Sequence, residues 1–148
     1  MGALSDLIQD PVKRRAVVDD SVRAIDAEVA GKRGLSGVVV KAGFKMVKGV
    51  SPGFIPKALD HLLDDFARQV DPFYADWQNG DNGSLDSYFQ RRAPEIADAL
   101  LAITDDRARN AKNRGVKKAY DKLRGKAAEH TIAAMPRVSR ILSQHVGS

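Results

Sequence analysis

The sequence predicts an all-α fold, a single irregular bundle of about seven helices that forms one domain over residues 1–148. Three observations predict it. Apolar residues recur at spacings of three and four along most of the chain, which is the period of an amphipathic helix. Asp or Ser caps, prolines at first helical positions and glycines just past helix ends punctuate these segments. Strict apolar–polar alternation, the pattern of a strand, never persists over a strand length.

The composition is that of a soluble domain with one core. Of 148 residues, 43% are apolar and 29% are charged, which is enough to bury a core and ordinary for a soluble chain. The absence of cysteine excludes disulfides, thiolate metal sites and cysteine nucleophiles, and it permits a reducing compartment. The first ten residues lack the basic start and apolar region of a secretory signal, and no apolar run approaches the roughly 20 residues of a membrane helix. We therefore expect a cytoplasmic protein.

The first third of the chain is predicted to form a short helix and a long one. A short segment at 4–8 precedes Asp10-Pro11. Asp10 can accept hydrogen bonds from the first amides of the next helix. Pro11 suits the first helical position, because the N–H that proline lacks would have no partner there. The long helix then runs until Gly31 and Gly34 stop it.

Two further helices are expected at residues 36–50 and 56–70. The first begins at Ser36 as a cap and has apolar residues over about two thirds of its circumference. Only Lys41, Lys45 and Lys48 form a solvent stripe, so this helix is predicted to sit centrally. The second is plainly amphipathic, with its apolar residues on one face.

The second half begins with a predicted helix break at Asp71-Pro72. As at Asp10-Pro11, the aspartate is predicted to cap a new helix and the proline to occupy its first position. This short aromatic helix ends in a loop at 79–83. Ser84 caps the next helix, and Pro94 breaks or restarts it. A polar stretch at 105–114 precedes the last long helix, at 116–134, and Pro136 kinks the chain into a final segment.

Catalytic and metal-binding patterns are missing from the sequence. The three histidines, His61, His130 and His145, each have an ordinary explanation: an acidic solvent face, a boundary residue bonded to backbone, and a helix C-terminus. Ser36 lacks the glycines and the strand of a nucleophile elbow. The loop at 79–84 suggests calcium only superficially, because its carboxylates fall in the wrong positions for an EF-hand. We therefore predict no catalytic residues, no metal and no cofactor.

A weak anion-binding signal lies between the first two long helices. Glycines at every third position allow close backbone approach, and two cations precede a helix N-terminus. The candidate residues are Lys32, Arg33, Gly34, Ser36 and Gly37. An ordinary helix–helix turn is the simpler interpretation, because a Walker loop or dinucleotide fingerprint needs a preceding strand and another spacing.

The charge distribution is the strongest signal that is not structural. Residues 105–148 contain 11 basic and 4 acidic side chains, whereas residues 1–104 contain 13 basic and 15 acidic ones. Candidate contacts to nucleic acid or another polyanion are Arg114, Lys117, Lys118, Lys122, Arg124 and Lys126, within the basic segment 107–126. The simpler interpretation is a solvated face, or one that docks against the acidic region 60–86.

Four segments carry a resemblance to a known family. They are the run 10–29, the turn Lys32-Arg33-Gly34-Leu35-Ser36-Gly37, the turn Val50-Ser51-Pro52-Gly53-Phe54-Ile55-Pro56, and Val116-Lys117-Lys118-Ala119-Tyr120. With them the chain resembles a family of uncharacterised high-GC bacterial proteins of actinobacterial type, classed as a domain of unknown function. The resemblance implies a cytoplasmic helical domain that stands alone, and it brings no activity, cofactor or catalytic residue.

Three function classes follow in order. The first is a non-enzymatic helical module that binds a protein partner or a small apolar or anionic ligand, which an exposed apolar patch or a lined pocket would favour. The second is a polyanion- or nucleic-acid-associated protein that uses the basic segment. The third is an enzyme, which requires distant residues to converge in a cleft with perturbed titration. Oligomeric state is not predicted.

Overall fold

The computed structural model describes residues 2–80 and 83–146, and within them the chain forms eight α-helices and no strand. The predicted all-α fold is confirmed, with one helix more than the expected seven. In chain order the helices are α1 (Ala3–Leu7), α2 (Pro11–Gly31), α3 (Gly34–Lys48), α4 (Phe54–Asn79), α5 (Leu85–Arg91), α6 (Ala93–Arg109), α7 (Arg114–Ala133) and α8 (Met135–His145). None of these helices is long and apolar enough to cross a bilayer.

Of the four predicted helix caps, Asp10 and Ser84 are present, whereas Ser36 and Asp71 do not begin helices. The Asp10 carboxylate accepts a hydrogen bond from the Val12 amide at 2.9 Å, and the Ser84 hydroxyl accepts one from the Ser87 amide at 3.1 Å. Each begins a helix where the sequence predicted it. Ser36 is not a cap, because α3 begins two residues earlier at Gly34, whose φ of 72° only glycine adopts readily.

The predicted helix break at Asp71-Pro72 is wrong. Helix α4 runs through both residues, and Pro72 lies on its exposed side, where a carbonyl deprived of its donor can bond to water. The Asp71 carboxylate instead accepts hydrogen bonds from the Leu4 amide at 2.8 Å and the Ser5 amide at 3.3 Å. It therefore caps α1 across the fold rather than starting a helix of its own.

One end of the bundle is densely packed. Its buried residues come from α1, the second half of α4, α5, the start of α6 and the start of α8. Phe89 and Ile96 at its centre are 0% exposed. We call this region the packed end.

The other end is enclosed by α2, α3, α7, the first half of α4 and the second half of α6. Here α7 packs along both α3 and α6, and α2 lies against α4 and α8. The apolar side chains that point inward are mostly half-buried rather than buried. We call this region the cavity end.

Helix α3 does not sit centrally, contrary to the prediction. It buries only the side with Gly37, Val40 and Gly43. A second apolar side is left in solvent, where Leu35 is 88% and Val38 66% exposed. The sequence shows the wide apolar coverage of this helix, but coverage alone does not say that neighbours exist for all of it.

Candidate functional site

A large apolar cavity occupies the cavity end of the bundle. Its volume is about 450 Å³, and it is partly open to solvent. The walls come from α1, α2, α3, α4, α6, α7 and α8. Among the residues that shape it are Ile25, Phe44, Leu59, Phe66, Leu123 and Ile141.

The volume is too large to be a packing imperfection. Protein interiors rarely contain voids much larger than a water molecule. At about 24 cal/mol per Å³, a cavity of this size held dry would cost on the order of 10 kcal/mol, which is as much as the whole stability of a typical domain. The volume lies within the roughly 300–1,000 Å³ of ordinary small-molecule sites. The cavity therefore has the dimensions of a binding site.

Two of the three hydroxyl-bearing residues in the wall, Thr104 and Thr131, are already bonded to protein; the third is Ser21. The Thr131 hydroxyl donates to the Ala127 carbonyl at 2.7 Å, within its own helix. The Thr104 hydroxyl lies 3.1 Å from the Leu101 carbonyl and 2.7 Å from the Tyr120 hydroxyl. Apart from Ser21 and His145, the body of the cavity therefore offers apolar groups to a guest.

Polar side chains gather at one part of the cavity wall, where the end of α2 meets α7 and α8. The Arg137 Nε donates to the Glu28 Oε1 at 2.7 Å, and the Lys32 Nζ lies 3.2 Å from the other oxygen of the same carboxylate. The Ser36 Oγ and the His130 Nε2 are 3.1 Å apart. Glu28, His130 and Arg137 line the cavity directly. We call these five residues the polar rim.

The polar rim holds one net positive charge. Burial raises the pKa of the Glu28 carboxyl, but the hydrogen bonds from Arg137 and Lys32 outweigh it and hold the pKa below its ordinary value. Burial lowers the pKa of the His130 imidazole, and the nearby Lys32 ammonium lowers it further. Near neutral pH the rim therefore contains two cations, one carboxylate and a neutral imidazole. This combination favours an anionic or hydrogen-bonding group on a guest.

The Glu28 pairs predict a pH dependence of stability. Because the folded pKa of Glu28 lies below its unfolded value, its contribution is present above about pH 4.5 and is lost as the pH falls through the folded pKa. We expect Glu28→Gln to lower the melting temperature more at pH 7 than at pH 3, because the charged form that the pairs stabilise is lost as the pH falls. Thermal unfolding at both pH values, with exposed Glu129→Gln as the control, measures this. An equal loss at both pH values would show that the charge of Glu28 is unimportant.

The predicted anion-binding turn lies beside this rim, and its residues separate into two groups. Lys32 and Ser36 belong to the rim, as described above. Arg33 and Gly34 are exposed. Gly37 is buried against the backbone of Lys32, where an added Cβ would lie 2.8 Å from the Lys32 carbonyl carbon. The close approach that the glycine spacing indicates is thus made by the chain itself, and anion binding by the turn stays a prediction.

The predicted polyanion-binding residues all lie on α7. The structure pairs two of them, since the Arg124 Nε donates to the Asp105 Oδ1 at 2.8 Å and the Lys126 Nζ lies 3.6 Å from the Glu129 carboxylate. The other four are exposed and have no ion pair within residues 2–80 and 83–146; they are Arg114, Lys117, Lys118 and Lys122.

Among the described residues, the carboxylates of the acidic region 60–86 form no ion pair with α7. Those of α4 pair with α2 and α6 instead: Asp60 and Asp64 bind Arg14, and Asp65 binds Arg107. In the part of the chain that the structure describes, Arg107 is the only residue of the basic segment 107–126 that forms an ion pair with this acidic region. The exposed face of α7 is therefore solvated rather than covered from within.

A second polar network joins α6 to α7 near that face. Burial and a hydrogen bond to Asp105 raise the pKa of the Tyr120 phenol to about 12. The Arg124 guanidinium and the same phenol hold the pKa of Asp105 below its ordinary range. A phenol with a pKa this high stays protonated, so it serves as a fixed hydrogen-bond donor that holds the two helices together.

The other singled-out histidines have structural surroundings. His61 is exposed on α4. The His145 Nε2 lies 2.5 Å from the Asp20 Oδ2, so it joins α8 to α2, and this pair holds the pKa of Asp20 below its ordinary value. His130 bonds to the Ser36 side chain rather than to backbone, contrary to the prediction. Of the candidate calcium loop, Asp81 and Asn82 lie outside the described residues.

Metal coordination has no support in the described part of the chain. Across residues 2–80 and 83–146, no three His, Cys, Asp or Glu side chains are grouped so that they could hold a metal ion. The polar rim, with one carboxylate and one imidazole, falls short of the three or four ligands such sites use.

Fold and site together define an all-helical domain with an apolar cavity and a charged rim. Residues 4–146 match the model of the family of unknown function DUF6918, and the chain belongs to that family. Neither the curated proteins nor the solved structures contain a match to the chain. The function of this family is unknown.

Proposed function

We propose that this protein binds a small amphipathic molecule, with an apolar body inside the cavity and an anionic or hydrogen-bonding head at the polar rim. The observation that carries the proposal is the 450 Å³ cavity with an apolar wall. At roughly 30 Å³ per water-sized group, this volume accepts about 15 such groups. A medium-length fatty acid has the matching size and chemistry.

The polar rim supports a head group of negative charge. The Arg137 guanidinium has five N–H donors, and its bond to Glu28 uses the Nε. Lys32 brings a second cation within 3.2 Å of the same carboxylate. A ligand carboxylate placed here gains charge-assisted hydrogen bonds, which are the stronger kind.

We propose binding rather than conversion of this ligand, in a bacterial cytoplasm. A nucleophile needs a general base beside it and a third group that orients the base. In the rim, the Ser36 hydroxyl lies beside the His130 imidazole. Among the described residues no carboxylate forms a hydrogen bond with that imidazole, so the third group is missing. The cysteine-free composition suits a reducing compartment. The high content of Ala, Arg, Val and Gly fits a high-GC genome of the actinobacterial kind.

The test is calorimetric titration with the twelve-carbon fatty acid dodecanoate and with the uncharged dodecanol. We expect the protein to bind both. The double substitution Ala24→Leu/Ala127→Leu, which adds side-chain volume inside the cavity wall, is expected to weaken both by about tenfold or more, because inserted methylenes compete for the same space. Lys32→Gln is expected to weaken dodecanoate alone.

The matched control is Ala102→Leu/Ala133→Leu, which places the same added volume on exposed positions of α6 and α7. Thermal unfolding checks that both double variants remain folded. If neither ligand binds the unaltered protein, or if both double variants bind as it does, the cavity is not a ligand site.

A polyanion-binding role remains the second candidate, because four cations on α7 are exposed without ion pairs among the described residues. If this role is correct, we expect the protein to retard duplex DNA in gel electrophoresis, with binding that weakens steeply as the salt concentration rises. Replacement of Lys117, Lys118 and Lys122 by Glu is expected to abolish that binding.

A further inference from the structure

The outward face of α3 carries an exposed row of large apolar side chains. Leu35 is 88%, Val38 66%, Val39 47% and Met46 37% exposed. Their spacing places them on one side of the helix, opposite the buried Val40 and its neighbours. We call this row the outer apolar face. Single exposed apolar residues are ordinary on a protein surface, but a contiguous row on one helix marks an interaction surface.

Lysines border this face on the side away from α7. At 100° per residue, Lys41 and Lys45 stand next to Val38, and both are exposed. The wider segment has the same sign: residues 29–59 contain six basic side chains and no acidic one. No other segment of this length in the chain lacks an acidic side chain. Two of the six cations, Lys32 and Lys48, pair with Glu28 and Asp26 of α2.

Helix α7 supplies basic side chains on the opposite border. Helices α3 and α7 run antiparallel, because Ser36 meets His130 while Gly43 lies against Leu123. The missing side chain of Gly43 lets the two helices approach closely, since a Cβ there would lie 2.8 Å from the Leu123 side chain.

The register of α7 then places two lysines toward α3. Tyr120 and Arg124 face α6, through their bonds to Thr104 and Asp105. The helical period puts Lys122 and Lys126 on the other side of α7, the side next to α3, where both are exposed. The outer apolar face therefore has lysines along both borders, and on the α7 side Glu129 pairs with Lys126.

We propose that the outer apolar face is a docking surface for an anionic lipid bilayer. A helix that presents Leu, Val and Met between lysines lies in the plane of a membrane interface, with its apolar side in the acyl boundary and its cations at the head groups. Anionic head groups complement the lysine borders. A second copy of the chain fits less well, because a two-fold contact through this face brings the same lysine borders together.

This inference is independent of the proposed ligand, since the outer apolar face and the cavity lie on opposite sides of α3. The two are compatible: a protein that binds an amphipathic molecule and docks on a bilayer has a source for its ligand. Either proposal, membrane docking or ligand binding, can nevertheless be wrong while the other is right.

The test is co-sedimentation of the full chain with vesicles of equal parts phosphatidylglycerol and phosphatidylcholine, and with vesicles of phosphatidylcholine alone. We expect binding to the mixed vesicles that decreases with salt, and weaker binding to phosphatidylcholine. Two variants are expected to reduce binding by about tenfold or more: Leu35→Gln/Val38→Gln/Val39→Gln/Met46→Gln, and Lys41→Gln/Lys45→Gln. Glutamine is a good helix former, so both are expected to stay folded.

The matched control is Val12→Gln/Lys13→Gln, which changes an exposed valine and an exposed lysine on α2 and is expected to bind as the unaltered protein does. Three outcomes would overturn the proposal: no sedimentation with mixed vesicles, equal loss in the control variant, or a concentration-dependent dimer that the four-residue variant abolishes. Retained dodecanoate binding in the α3 variants separates this result from the fate of the cavity.

Discussion

Phe89→Ala is expected to destabilise the protein by about 3–5 kcal/mol, which is the usual cost of truncating a buried aromatic residue. Phe89 is 0% exposed at the centre of the packed end, and its ring lies 6.1 Å from that of Tyr88. Its removal leaves a new cavity among side chains that already fit closely, and α5 is too short to relax into it. In a domain of this size the loss approaches half of a typical stability.

The matched comparison is Leu59→Ala in the wall of the cavity. Leu59 is half-buried and faces open volume, so its truncation enlarges an existing space and forfeits fewer contacts. We expect a loss of about 1–2 kcal/mol, from the partial burial of its side chain.

Urea unfolding of both variants, read at unchanged m-value, measures the difference. Equal losses at the two positions would contradict the division into a packed end and a cavity end. A smaller loss of unfolding free energy for Leu59→Ala than for Phe89→Ala would support the division into a packed end and a cavity end. If dodecanoate reduces that loss further, the result would also support ligand binding in the cavity.

The helices were predictable from the sequence because their signals are local. Asp10 and Ser84 bond to amides two or three residues away, and such caps can be read from a few neighbouring positions. The prediction at Asp71-Pro72 was wrong because the partners of Asp71 lie 66 and 67 residues away, on α1. Tertiary contacts of that kind decide between two local interpretations, and the local sequence does not contain them.

The candidate site was largely beyond sequence reasoning for the same reason. Glu28 and Arg137 are 109 residues apart in the chain, and Ser36 and His130 are 94 apart. No spacing rule connects them. Lys32 and Ser36 were singled out for anion binding by the turn, and the structure places both at the rim of a cavity that the sequence did not indicate.

The absence of a cavity signal has a physical cause. Leu59 and Phe66 occupy the same apolar stripe of α4 as the buried Val70, so periodicity assigns all of them to a core. Whether that core is filled depends on how the helices meet, as at the close α3–α7 contact.

Two glycine substitutions are expected to change stability in opposite directions. Both Gly37 and Gly125 lie inside helices, where alanine is intrinsically better by roughly 0.5–1 kcal/mol. At Gly125 an added Cβ meets nothing within 4 Å, so we expect Gly125→Ala to stabilise the protein by about that amount.

At Gly37 the added Cβ lies 2.8 Å from the Lys32 carbonyl carbon and 2.9 Å from its oxygen. These are backbone atoms, so the α2–α3 connection has to move, and overpacking of this kind costs about 1–3 kcal/mol. The same movement displaces Lys32, whose ammonium pairs with Glu28, so Gly37→Ala is expected to weaken dodecanoate more than dodecanol. Urea unfolding and calorimetry of the two variants test this pair. Stabilisation by both substitutions would show that the turn adapts freely, and the polar rim would then lack the rigid backbone support on which its alignment depends.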